Sequence, residues 1–178
     1  MKRVHYFKGQ LLTAEVFPTE QDYNLNKRRL QNRQNLGVGV VSGLHVSTQT
    51  DGIHIFPGVA IDPLGREIIV TEPQIVPYPS GHDAVSLLIS YTEKPTDPAP
   101  AAGEQTNGPE YTRVEEGIVL ELTPSDTGNE NAVVVARLRW INGEWKIVTR
   151  CWNPLFTIGC GLLFLAAVRC LRRAARNW

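Results

Sequence analysis

Four histidines and three cysteines are the residues with the most chemistry to offer, and their spacing gives them little to do. His5, His45, His54 and His82 are scattered along the chain. His45 and His54 are placed to face each other across a predicted hairpin, where a metal is one use for them, but no third ligand stands at a suggestive spacing. Cys151, Cys160 and Cys170 all lie near the C-terminus. They are not at zinc-ligand spacing, and no histidine accompanies them. Asp62 and Glu67 flank a Pro-Gly turn, and turn chemistry is enough to explain both. The chain has no Gly-x-Ser-x-Gly, no phosphate loop and no His-Glu-x-x-His. Gly37 and Gly39 lack the third glycine of a dinucleotide loop and follow a helical stretch instead of opening one. The role pairs that an active site needs cannot be assembled, so no enzyme, cofactor or metal is expected.

Charge narrows the partners. Four of the 18 basic residues and none of the 18 acidic ones fall in the last 28 positions. Residues 1–150 therefore carry −4 and the tail carries +4. An acidic body argues against nucleic acid, which needs clustered basic charge. The N-terminus opens with Met1-Lys2-Arg3 but has no apolar stretch behind it. No signal peptide is expected, and a cytoplasmic location is.

The elements that hold these residues divide the chain into three parts. Residues 1–37 predict an arm and a helix. Pro18 suits the first helical position, Glu20 and Asp22 the positive end, Lys27, Arg28, Arg29 and Arg33 the later turns, and Gly37 the stop. A helix over 18–36 follows. Its apolar stripe is thin, with Tyr23 and Leu30 its main members, so it cannot bury much against its own body. Tyr23, Lys27, Arg28, Arg29 and Arg33 are accordingly candidates for an interface with a neighbouring subunit; a solvated surface helix is the plainer alternative.

Residues 38–150 predict a small antiparallel β-domain, a sandwich or barrel. Short β-rich runs are bounded by Gly, Pro and Asp. Asp51-Gly52 and Asn142-Gly143 are hairpin turns, and Trp140 and Trp145 are set to pack across the second. Ala84–Thr92 is the longest apolar strand and predicts a central one. Residues 93–112, rich in Pro, Ala and Gly, predict a projecting flexible loop.

Residues 151–178 predict a hydrophobic helical tail with a basic end. From Cys151 to Val168 there are 18 residues without a charge. As a helix they reach about 27 Å, just short of a hydrocarbon core of about 30 Å. Trp152, Leu155, Phe156, Ile158, Leu162, Leu163, Phe164 and Leu165 supply the apolar surface. Arg169, Arg172 and Arg173 are placed to snorkel to lipid headgroups. The tail is read as a membrane contact or as a helix packed inside a homo-oligomer.

The N-terminal block carries a resemblance. Tyr6-Phe7-Lys8-Gly9-Gln10-Leu11-Leu12-Thr13-Ala14-Glu15, Glu20-Gln21-Asp22-Tyr23, Lys27-Arg28-Arg29-Leu30-Gln31-Asn32-Arg33 and Gly39-Val40-Val41-Ser42-Gly43-Leu44 are involved. With Pro57-Gly58-Val59-Ala60-Ile61-Asp62-Pro63-Leu64-Gly65-Arg66-Glu67-Ile68, this block resembles a family of phage-tail-like proteins encoded with contractile injection systems. The likeness covers residues 4–72 well and 84–149 only in β character. It implies a non-catalytic structural subunit at the baseplate or another end of the particle, with other injection-system subunits as partners. The hydrophobic tail departs from that pattern. The alternative is a stand-alone membrane-anchored β-domain that binds a protein or ligand.

Overall fold

The computed structural model describes residues 3–13, 16–99, 111–124 and 130–151. Helix α1 spans Val16–Gln31 and continues as a π-helical turn, Asn32–Leu36. Its start lies two residues before Pro18. The proline still costs nothing there, because the first four N–H groups of a helix have no partner within it. Gly37 ends the helix at φ 73°, its N–H donating to the Asn32 carbonyl at 3.1 Å. No residue of α1 or of the π-helical turn is buried.

Among the described residues ten strands follow, and they form three antiparallel sheets where a sandwich or a barrel was expected. Strands β1 (Gly39–Gly43), β4 (Gly58–Ile61) and β5 (Glu67–Val70) make the first. The second joins β2 (Val46–Gln49), β3 (Gly52–Ile55) and β6 (Gln74–Val76). In the third, β10 (Glu144–Arg150), β9 (Val133–Ile141), β7 (Ala84–Pro98) and β8 (Tyr111–Thr123) lie side by side in that order. The division begins where the β-rich run after residue 38 breaks. Gly43 and Leu44 both take positive φ, so β1 and β2 are sent into different sheets.

All three sheets share one core. Val40, Ala60, Ile68 and Val70 come from the first, Val46, Ile53 and Ile55 from the second, and Leu87, Ile89, Val135 and Leu138 from the third. Alternation aims them, with one change of phase: along β9, Val133 and Val135 are buried before the register shift against β7, and Ala136 and Leu138 after it, with Arg137 and Arg139 exposed. Strand β7 is central, as its apolar run predicts, with β8 on one side and β9 on the other.

Strand β7 outruns its expected end. It pairs with β9 only from Ala84 to Ile89, but with β8 as far as Pro98↔Tyr111. Lys94–Pro98, expected within the 93–112 loop, is therefore strand. Beyond Ile89 the ribbon has an open edge, and there prolines are tolerated because a missing N–H need not serve a ladder. The rest of that loop at 100–110, and the C-terminal residues from Trp152 on, lie outside the described residues. Among the described residues, no helix is long and apolar enough to cross a membrane.

Candidate assembly surface

The β4–β5 turn is built by a buried carboxylate. Asp62 is fully buried and accepts hydrogen bonds from the Leu64 N–H at 2.9 Å and the Arg66 N–H at 2.8 Å. Its other oxygen accepts from Arg66 Nε at 2.5 Å. The Asp62 carbonyl accepts from the Gly65 N–H at 2.9 Å and closes the turn. Turn chemistry explains Asp62, as expected, and its ion pair with Arg66 adds a second function. The Arg66 guanidinium lies over the Tyr91 ring, 4.8 Å from its centroid. The turn is thus fastened to the central strand by a cation–π contact.

Helix α1 rests on this turn. Arg28 donates from Nε to Glu67 Oε1 at 2.9 Å, and its Nη2 pairs with the other oxygen, giving a two-pronged grip on one carboxylate. Asn32 Nδ2 donates to the Gly65 carbonyl at 3.0 Å and to Glu67 Oε1 at 3.1 Å. Arg29 stands 3.9 Å from Glu93 on β7. Gly65 has φ +84°, and a Cβ there would fall 2.8 Å from the carbonyl carbon of Arg29 and 3.0 Å from its Cα. The helix backbone therefore sits directly on a glycine.

The electrostatics follow from the contacts. The Arg28 hydrogen bond, helped by Asn32, holds the Glu67 carboxyl below its ordinary range against the opposing effect of desolvation. The same pair raises Arg28. Burial, with the Glu93 and Glu116 carboxylates beside it, pushes the Tyr91 phenol up. A cavity of about 30 Å³ is left between helix and turn. It has room for one water and none for a substrate.

The five helix residues expected at a subunit interface therefore divide. Arg28 and Arg29 face the chain's own body and serve α1 itself. Tyr23 is half-buried. Lys27 and Arg33 are exposed and have no hydrogen bond or ion pair among the described residues. A thin apolar stripe correctly says that α1 buries little. It does not reveal that the helix is held by polar contacts, because Asn32, Gly65 and Glu67 leave no periodic hydrophobic signal.

The arm before the helix is a further surface that periodicity does not show. Phe7 is 65% exposed and Leu11 82%, Leu12 is half-exposed, and so is Phe17 in the first turn of α1. The Tyr6 hydroxyl donates to Glu20 and ties the arm to α1. The remaining predicted residues, from Trp152 to Arg173 in the tail, lie outside the described residues.

The histidines do not meet. His54 opposes Ser47 in the β2–β3 ladder and its Nε2 lies 2.7 Å from Asp51 Oδ1. Among the described residues, no three His, Cys, Asp or Glu side chains are grouped to hold a metal.

No protein-family model matches the chain, and no curated protein does. Solved structures do. A chain of the TssK–TssF–TssG baseplate subcomplex of the type VI secretion system overlays at a TM-score of 0.58 and 13% identity, covering 99% of this chain and 73% of that one. A chain of the type VI secretion baseplate complex overlays at 0.49 and 14% identity, over 100% of this chain and 70% of that one. A crystal structure of TssK overlays at 0.47 and 14% identity, over 82% and 40%. At 13% identity the first of these likenesses is one of fold.

Proposed function

We propose that this protein is a non-catalytic structural subunit of a contractile, phage-tail-like injection system, seated at the baseplate. The solved structure that shares its fold is a chain of a baseplate subcomplex of the type VI secretion system, a machine of that class. The observation that carries the reading is the extent of the first overlay, which takes in 99% of the chain, helix and sheets together. The N-terminal sequence block, read independently of any structure, points to the same class of machine. Its chemistry is that of turns and docking, and the site it builds around Gly65 is a mechanical joint.

In this reading the partners are other injection-system subunits, with further copies of this chain in the same particle. The outward face of α1, with Lys27 and Arg33, and the apolar arm at Phe7, Leu11 and Leu12 are the surfaces offered to them. Residues 151–178 would add a contact with membrane or pack within the oligomer, using Leu162, Leu163, Phe164 and Leu165 with Arg169, Arg172 and Arg173 at the end. The particle would be assembled in the cytoplasm.

The test is co-purification. A tagged full chain, expressed in its own cells, is expected to sediment with sheath and tube subunits in fixed stoichiometry. A chain that stays monomeric and never accompanies them would refute the role, and loss of membrane association on deleting 151–178 would then favour a stand-alone anchored domain.

A further inference from the structure

Three aromatic rings from separate elements meet at the β9–β10 hairpin, away from α1. Tyr78, in the loop after β6, stacks on Trp145 with ring centroids 6.1 Å apart and planes 4° from parallel. Trp140 meets Trp145 edge-on, at 5.7 Å and 67°. Each ring is fixed. The Tyr78 hydroxyl donates to the Gln49 carbonyl at 2.6 Å, and Trp145 is 8% exposed. Trp140 stands on top of this support and is 45% exposed. Neither indole N–H finds an acceptor among the described residues.

The two tryptophans form a ridge between two troughs. One, of about 640 Å³, is walled by Thr48, Gln49, Thr50 and Glu144. The other, of about 430 Å³, is walled by Pro79, His82 and Asp83. Both volumes fall in the range of small-molecule sites. The walls mix donors with acceptors: hydroxyls, an amide, an imidazole, carboxylates and indole N–H groups. In the larger trough Glu144 is the one charged wall residue, and it has Lys146 at 4.0 Å. A site with fixed aromatic faces, mixed donors and acceptors and little net charge complements a neutral ligand with one apolar face and many hydroxyls.

We propose that the ridge formed by Trp140 and Trp145, with the trough beside Thr48, Gln49 and Glu144, is a binding site for a neutral pyranose glycan. A sugar ring stacks its C–H face on Trp140, and its hydroxyls take the polar walls. The assignment is independent of the baseplate role and stands or falls separately from it.

The test uses the folded full chain and three neutral probes, cellotriose, maltotriose and chitotriose, read by saturation-transfer NMR. Saturation is expected to reach the ring protons of at least one probe. Binding should hold its strength when salt rises from about 0.15 M to about 0.5 M, since no ion pair is made. Trp140→Ala should weaken it about tenfold or more, and Trp140→Phe, which keeps an aromatic face, much less. Trp140 lies at the surface, so circular dichroism of both variants should match the parent. Transfer to none of the three sugars would overturn the proposal. So would equal transfer in Trp140→Ala, or binding that salt or a tetralysine peptide abolishes, which would assign the ridge to a cation.

Discussion

Changing Gly65 to alanine tests whether α1 truly stands on the β4–β5 turn, and the chain supplies its own control. Gly65 and Gly143 have nearly the same backbone, φ +84° and +83°. Alanine at either position incurs a left-handed strain of about 1 kcal/mol. Around Gly143 nothing lies within 4 Å of the added Cβ, so the strain is the whole effect. At Gly65 the same Cβ meets the backbone of Arg29, with its carbonyl carbon at 2.8 Å and Cα at 3.0 Å. Backbone in a helix cannot swing aside as a side chain can, so α1 must lift. Lifting breaks the two hydrogen bonds of Asn32, about 1 kcal/mol each. It also breaks the Arg28–Glu67 pair, worth under about 1 kcal/mol because Arg28 is mostly exposed. Gly65→Ala should therefore destabilise by about 3 kcal/mol and Gly143→Ala by about 1 kcal/mol. Urea unfolding of both full-length variants measures the totals, and amide exchange of residues 20–31 reports the helix. Equal losses in the two variants, or unchanged protection of α1 in Gly65→Ala, would refute the account of how the helix is seated.

Asp62→Ala should cost about 2–4 kcal/mol in urea unfolding, because it strands two backbone N–H groups and Arg66 around a fully buried position; a loss below about 0.5 kcal/mol would mean that the turn holds without it. Helix docking should depend on acid pH. The Glu67 pKa is depressed in the folded chain, so its contribution is present above the ordinary carboxylate range near about 4.3 and fades as pH falls through the depressed value. Amide exchange of α1 should show that loss in the parent, and Glu67→Gln should flatten it; a parent whose α1 is indifferent to acid would contradict the pairing. Reversing both free charges, Lys27→Glu with Arg33→Glu, should leave stability within about 0.5 kcal/mol and reduce incorporation into particles. Normal incorporation would remove the outward face of α1 from the assembly surface.

The hairpins were legible because their chemistry is local. The β2–β3 hairpin forms where expected but turns one residue earlier: Gln49 opposes Gly52, so Thr50-Asp51 make the turn and Gly52 opens β3. Asn142-Gly143 takes the two positive φ values, 54° and 83°, that a type I′ turn needs. Trp140 and Trp145 oppose each other as that turn dictates. The central place of β7 was legible from its apolar run. The partition into three sheets was not, because it depends on Leu44 taking φ 50°, a conformation that leucine's own preferences do not announce. The length of β7 was hidden by Pro95 and Pro98, which read as breakers until the open edge beyond Ile89 is known. The seat of α1 was hidden for a third reason. It is made by a glycine, an amide and a carboxylate from a turn more than thirty residues downstream, and no window of sequence contains both halves.

A helix with no buried residue, held by a guanidinium and an amide, also has a calorimetric character of its own. Exposing apolar surface raises heat capacity and exposing polar surface lowers it. Releasing α1 exposes mostly the second kind, so its free energy of release should vary almost linearly with temperature. The three-sheet core, rich in Ile, Val and Leu, must instead follow a curved stability profile with a maximum. Cooling or warming therefore moves the core and the helix by different laws. Ionic strength, which screens the exposed Arg28–Glu67 pair and scarcely touches the core, is the variable that separates the helix from the core.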